Sequence, residues 1–212
     1  GAWIKLASDK PGKTLVKVAT SFTSIDNARK NLASEIPEWD FNEVRQASSD
    51  TWNQALGQIA VKGNNEKEMV KFYSALYNAH FLPRTFSDVD GSYPRFDGNG
   101  QIMKMDHGTY YCDFSQWDTY RAVHPLFSIL TPSRNGDMAH SLVLKGQQGG
   151  WLPIFPSWNS YTAAMIGDHC IAMIGDAIVK DTPGFDYEEA YTLMRKNAFE
   201  ANPDSGSYRD GK

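Results

Sequence analysis

The chain has 212 residues and a net charge of −4, with 41% hydrophobic and 22% charged residues. That is globular composition, at a length for one full domain or two small pieces, and an acidic chain lacks the basic surface that nucleic-acid binding needs. Two cysteines, Cys112 and Cys170, make no disulfide framework and no CxxC metal pair, and no apolar run approaches the roughly 18 residues of a membrane span.

The chain begins at Gly1 with no basic-then-apolar leader and reads as an internal or trimmed piece. Trp3–Leu6 and Thr14–Ala19 read as two strands around a Pro11-Gly12 turn. From Ser24 the period changes to helical. Ser24 caps a helix with Ile25, Ala28, Leu32 and Ile36 on one face, stopped by Pro37. Asp40 and Glu43 form a capping box ahead of Val44, Ala47, Thr51, Ala55 and Ile59. A third helix follows Gly63-Asn64, with Glu66 and Glu68 in its first turn and Met69, Phe72, Leu76 and Ala79 inward, and Pro83 ends it. Residues 84–110 read as a long loop, and loops of that length inside domains are often functional. Further helices are predicted over 116–131, 134–145, 161–180 and 187–201, the last capped by Asp186 with Glu189. Residues 202–212 are polar and predicted mobile. A β remnant followed by helices, with no βαβ alternation, predicts a mainly α body of helical hairpins.

Three segments could carry chemistry. On a helix turning about 100° per residue, Trp117, Asp118, Arg121 and His124 share one third of the circumference, opposite Val123, Leu126, Phe127 and Leu130. A flat aromatic ring suits the apolar face of a sugar, Asp118 accepts from hydroxyls, and Arg121 donates in a fixed fork. The same residues also suit a solvated Asp–Arg pair of little energetic weight. Pro125 withholds the N–H that would pair with the Arg121 carbonyl, so a kink is expected there. Over 161–180, Asp168 and His169 lie with Tyr161, Met165, Ala172 and Asp176 on one side of an apolar helix, as a satisfied polar pair or a ligand wall. Asp88, Asp90 and Gly91 resemble the start of a calcium loop, but the twelfth position is Asn99 rather than Glu, so an Asp-rich turn is expected. GxSxG, HExxH and P-loop motifs are absent. The histidines at 80, 107, 124, 140 and 169 show no two-His metal spacing on one helix face, and paired carboxylates cannot be picked out.

Read in order, Ser21-Phe22, Ala28-Arg29-Lys30-Asn31-Leu32 with Glu35-Ile36, Phe72-Tyr73-Ser74-Ala75-Leu76-Tyr77 and Phe86-Ser87-Asp88-Val89-Asp90-Gly91-Ser92-Tyr93 are followed by Trp117-Asp118-Thr119-Tyr120-Arg121 with His124-Pro125-Leu126. Gly150-Trp151-Leu152-Pro153 and Met165-Ile166-Gly167-Asp168-His169 complete the set. The chain thereby resembles glycoside hydrolase family 92, the calcium-dependent exo-acting α-mannosidases. The resemblance spans almost the whole chain. It implies that residues 1–22 end an N-terminal β-sandwich, 23–62 form linker helices, and 63–212 begin an (α/α)6 catalytic barrel. It further implies hydrolysis of terminal α-mannosides with inversion, by an acid and a base roughly 6.5–9.5 Å apart. The family's catalytic carboxylates and calcium ligands lie in later motifs, LEYA-like, EGNAWQY-like and GNDD-like, none of which occurs here. The WDxxR segment matches the sugar subsite. Trp117, Asp118 and Arg121 are carried over as substrate-binding, with Asp168 and His169 on a looser match. No catalytic or metal-binding residue is assigned to this chain. Asn159-Ser160-Tyr161-Thr162 departs from the commoner Glu-Thr variant and leaves the linkage open. Mannose-containing glycans as partners and a periplasmic or secreted location are implied too. A non-catalytic carbohydrate-binding module and another α/α-barrel glycosidase are the alternative readings. An open half-barrel would expose apolar helix faces, so aggregation or oligomers are expected of the isolated chain.

Overall fold

A computed structural model describes residues 3, 5, 12, 14–96 and 98–200. The described residues form eight helices and four short strands. The helices are α1 Ile25–Glu35, α2 Phe41–Leu56, α3 Glu66–Ala79, α4 Gln116–Thr119, α5 Val123–Leu130, α6 Pro132–Gly149, α7 His169–Val179 and α8 Tyr187–Phe199. The chain is mainly α, as expected. Thr14–Ala19 forms no strand, because extended backbone needs a hydrogen-bonded neighbour to become one. The strand expected over Trp3–Leu6 lies mostly outside the described residues, as does the tail predicted mobile.

Capping chemistry sets the first three helices. Ser24 accepts from Asn27 N–H, Asp40 from Asn42 and Glu43 N–H, and Asn65 from Lys67 N–H. The inner face of α1 differs from the expected one. Asn27 and Asn31 are its buried residues, while Ile25 is 75% exposed. The reason is Asp88, a buried carboxylate on the loop after β1. It accepts from Ser21 Oγ at 2.8 Å, Asn31 Nδ2 at 2.7 Å and Asn27 Nδ2 at 3.2 Å, and from Thr23 Oγ1. The Asp88 turn is therefore structural, with its oxygens already committed. Helix α2 stops at Gly57, short of Ile59, and buries no residue.

The segment expected to be a loop carries three short strands, which with a fourth just beyond it form two antiparallel pairs. β1 (Arg84–Thr85) pairs with β4 (Tyr111–Cys112), and β2 (Ser92–Pro94) with β3 (Ile102–Lys104). Strands this short carry no readable alternation. Packing stabilises them instead: Phe86, Tyr93, Met105, Tyr110 and Cys112 form a small core beneath.

The larger core gathers Phe114, Phe127, Met138, Leu142, Leu152, Met173, Ile174 and Leu193 around α6. Helix α6 begins with Pro132 in its first turn and ends at Gly150, whose φ of 89° is the left-handed cap geometry. Two features of α6 are unusual. Lys145 is fully buried, donating from Nζ to the Tyr111 carbonyl at 2.7 Å and lying 3.6 Å from the Tyr110 ring centre. Gly136 meets the backbone of Pro183 so closely that an added Cβ would lie 1.8 Å from its carbonyl oxygen. Gly136→Ala is expected to destabilise the chain by about 2 kcal/mol, read as a lower urea midpoint, because backbone on both sides cannot yield cheaply.

The predicted helices over 116–131 and 161–180 are both interrupted. The first breaks at Tyr120–Ala122, between α4 and α5. In the second, residues 161–168 are not helical, with φ of 49° at Ala163, 66° at Met165 and 88° at Gly167. Those angles lie outside the right-handed region that a helix requires. Apolar side chains remain outward on several elements, including Trp39, Phe41, Val44, Ile129, Val179 and Phe199. Leu15, Val18, Ile36, Trp39, Phe41 and Val44 line a groove of about 230 Å³.

Candidate sugar-binding site

The break after α4 decides how the WDxxR residues are displayed. Gln116 is buried and anchors the first turn. With its side-chain amide assigned so that the nitrogen faces them, it donates to the carbonyls of Ile154 and, at 3.1 Å, Pro153. The next two side chains face outward. Trp117 is 45% exposed, and Asp118 is exposed while accepting from Ser115 Oγ. Arg121 lies past the break and is also exposed. It makes no ion pair with Asp118. Its Nε donates to Tyr120 Oη at 2.7 Å, and its guanidinium lies 5.1 Å from the Tyr120 ring centre. The expected polar face loses His124, which is 1% exposed, packs near Phe114 and holds Asn135 Oδ1 at 3.3 Å from its Nδ1. Burial lowers the His124 pKa to about 4, against the pull of Asn135 and Asp176, so the ring is neutral and belongs to the core.

Helix α4 packs against α7, which brings the second predicted pair close. His169 stacks on Tyr120 with ring centres 4.3 Å apart and planes 15° from parallel. Arg121, Tyr120 and His169 thus form one layered contact. Asp168 is the residue before α7. Its Oδ2 accepts from Asn197 Nδ2 at 3.1 Å, while Oδ1 is buried without a partner. Burial raises its pKa, opposed by the Asn197 bond. Because 161–168 is not helical, Tyr161 and Met165 do not share a helix face with Asp168 and His169. Tyr161 instead donates to the Trp151 carbonyl at 2.5 Å.

Two features escaped the sequence reading. Tyr120 is one of the two unassigned residues inside WDxxR, and the helix break turns it toward His169. Asp113, with φ of 59°, accepts from Arg84 Nε at 2.8 Å, Trp158 N–H at 2.8 Å and Ser157 Oγ at 3.2 Å. This network holds Trp158, 70% exposed, beneath Arg84. The residues joined here lie 29 to 45 positions apart, a separation that helical or strand periodicity cannot register.

The model of the glycosyl hydrolase family 92 catalytic domain matches residues 27–212. A solved family 92 α-mannosidase of Bacteroides thetaiotaomicron in complex with mannoimidazole is 35% identical, with a TM-score of 0.80 over 86% of this chain and 24% of that one. A solved family 92 inverting mannosidase of the same organism is 28% identical, with a TM-score of 0.81 over 88% of this chain and 25% of that one. A protein of Arthroderma benhamiae described as an uncharacterized secreted glycosidase is 26% identical, over 93% of this chain and 22% of its own length. The chain therefore spans about a quarter of the length of these relatives.

Proposed function

Because the chain belongs to glycosyl hydrolase family 92, we propose that it is the part of an inverting α-mannosidase that holds a terminal mannose, with the cleaving carboxylates on other parts of the enzyme. The observation that carries this reading is the exposed Trp117–Asp118 turn beside the Arg121–Tyr120–His169 stack. The indole offers a flat apolar surface to the C–H face of a pyranose. Asp118 accepts from ring hydroxyls, and the Arg121 fork donates to them from a position steadied by Tyr120. His169 borders the same surface through its stack on Tyr120, and Asp168 precedes it at the start of α7.

The mannose assignment draws support from the relative solved with mannoimidazole, and inversion from the relative described as inverting. In the same reading, 1–22 end a β-sandwich, 23–62 are linker helices and 63–212 open an (α/α)6 barrel. A periplasmic or secreted site fits the relative described as secreted, and no helix among the described residues is long and apolar enough to cross a membrane. Calcium belongs to the whole enzyme on this reading. The described residues do not suit it: the Asp88 oxygens are taken by four protein donors, and the one His/Cys/Asp/Glu group close enough to share an ion contains two imidazoles. Calcium takes six to eight oxygens, which neither group supplies.

In the full-length enzyme, Asp118→Ala and Arg121→Ala are each expected to lower kcat/KM on an aryl α-mannoside about 30-fold, or about 2 kcal/mol. Unchanged kinetics in both would remove the site. The 212-residue chain alone is expected to give no hydrolysis, and a measurable rate from it would show that the cleaving carboxylates lie within it. Mannose affinity of the isolated chain that Asp118→Ala abolishes would favour a stand-alone binding module.

A further inference from the structure

The connection between β3 and β4 lies against α6, and it carries chemistry that the sugar site does not use. His107 Nε2 is 3.0 Å from the Gly184 carbonyl oxygen, which can only accept, so Nε2 carries the hydrogen and donates. In a neutral ring this leaves Nδ1 as a lone pair, 3.0 Å from Asp106 Oδ1. At that distance either a proton on Nδ1, giving an imidazolium–carboxylate pair, or a metal ion in its place lies between them, and Asp106 Oδ1 also accepts from the His107 backbone N–H at 2.9 Å. His140, on α6, stacks on His107 with ring centres 4.7 Å apart, and its Nδ1 is buried without a partner. One ligand-capable atom from each of Asp106, His107 and His140 lies within 4.8 Å of the other two.

The backbone is fitted to this meeting. Asp137 precedes His140 by one turn of α6, and its Oδ2 accepts from Thr109 N–H at 3.1 Å. Gly108, at φ of 66°, brings the loop so near that an added Cβ would lie 2.1 Å from Asp137 Oδ1. The loop is thus held on α6 by contacts of its own, with a further carboxylate beside the cluster.

We propose that Asp106, His107 and His140 bind a divalent transition-metal ion of the zinc type. Two imidazole nitrogens and one carboxylate oxygen are the donors that zinc accepts, whereas calcium and magnesium prefer oxygen alone. Metal–nitrogen bonds of about 2.0–2.1 Å place tetrahedral donors about 3.4 Å apart. To reach that geometry the Asp106–His107 pair opens slightly from 3.0 Å, and the stacked His107 and His140 rings tilt so that both in-plane lone pairs meet one ion, His107 pivoting about its Gly184 bond. The Gly184 carbonyl supplies the outer hydrogen bond that fixes the ring nitrogen used for binding. A water molecule completes the fourth position. The bound ion ties the β3–β4 connection to α6 and, through Gly184, to the segment between α7 and α8. The ion cross-links these segments and keeps one solvent-filled position, and none of its ligands belongs to the sugar site.

The test uses the full chain stripped of metal. Zn²⁺ is titrated against a chromophoric competing chelator, and Co²⁺ reports geometry through its visible ligand-field bands. The expected result is one Zn²⁺ per chain, tetrahedral Co²⁺ bands and a raised melting temperature. His107→Ala and His140→Ala should each weaken binding at least about tenfold. His107 is exposed, so its substitution leaves the core intact, and unchanged far-UV circular dichroism confirms folding. Absence of stoichiometric binding overturns the proposal, since a plain Asp106–His107 ion pair needs no metal. Affinity that survives both substitutions also overturns it, because the ion then sits elsewhere on the surface.

Discussion

Asp88→Ala is expected to lower the unfolding free energy by about 4 kcal/mol. Hydrogen bonds to a charged group contribute about 1.5–3 kcal/mol each, and a donor left buried without an acceptor carries a further desolvation cost. Asp88 receives from Ser21, Thr23, Asn27 and Asn31. Two of these have fallback acceptors, Asn31 on the Thr20 carbonyl and Asn27 on Thr23, so the loss falls short of the full sum. Burial acts to raise the Asp88 pKa, but the bonds from Thr23, Asn31, Ser21 and Asn27 outweigh it and hold the carboxyl below its ordinary 3.8. The anion is therefore the form that the fold selects. Asp88→Asn should recover less than half of the loss, because an amide turns one acceptor into a donor facing donors. Urea titration gives the total, and hydrogen exchange gives the place: amides of α1 should open early while those of α6 stay protected. A loss under about 1 kcal/mol for the alanine variant would mean that α1 is held by its half-buried Ala28 and Leu32 instead.

The second large effect comes from Lys145. Burial lowers its pKa to about 7, opposed by Cys112, Asp113 and Cys170, whereas an unfolded lysine titrates near 10.5. Between those values the unfolded chain binds more protons than the folded one, so stability rises with pH. Below pH 7 both states are charged and the full cost, about 5 kcal/mol, is present. The buried thiols act the other way. Burial raises the pKa of Cys112 and Cys170, so ionisation of the unfolded thiols from about pH 8.5 pulls stability down again. A net gain of about 2 kcal/mol between pH 7 and 8.5 is expected from urea titrations at constant ionic strength. Lys145→Met, which fills the same space without a charge, should flatten that rise. A profile that is flat in the parent chain, or equally steep in the variant, would place the proton elsewhere.

Helix starts were legible in the sequence because capping is local. Ser24, Asp40 and Asp186 each sit within three residues of the amides they receive. Faces were less legible. The apolar spacing of Ile25, Ala28, Leu32 and Ile36 pointed inward, yet the partner across the interface is a carboxylate, and a helix turns toward what its neighbour demands. Interruptions were legible only in part. Pro125 announced trouble near Arg121, but the positive φ values at Ala163 and Met165 carry no mark, since neither residue favours that conformation. For the proposed sugar site, the candidate residue types come from one short segment, and their display is not legible there, because it depends on where α4 ends. His107 and His140 were invisible as a pair. One is on a loop and the other on a helix 33 positions later, and only the fold brings them together.

The four-residue length of α4 has a consequence for evolution of the site. A helix of one turn has too few internal bonds to fix its own orientation, so the heading of Trp117 and Asp118 is inherited from Gln116 and the carbonyls of Pro153 and Ile154 that receive its amide. If the proposed site holds a sugar, its specificity can drift through the 153–154 bend, which retunes the heading of the indole without any change at 117, 118 or 121.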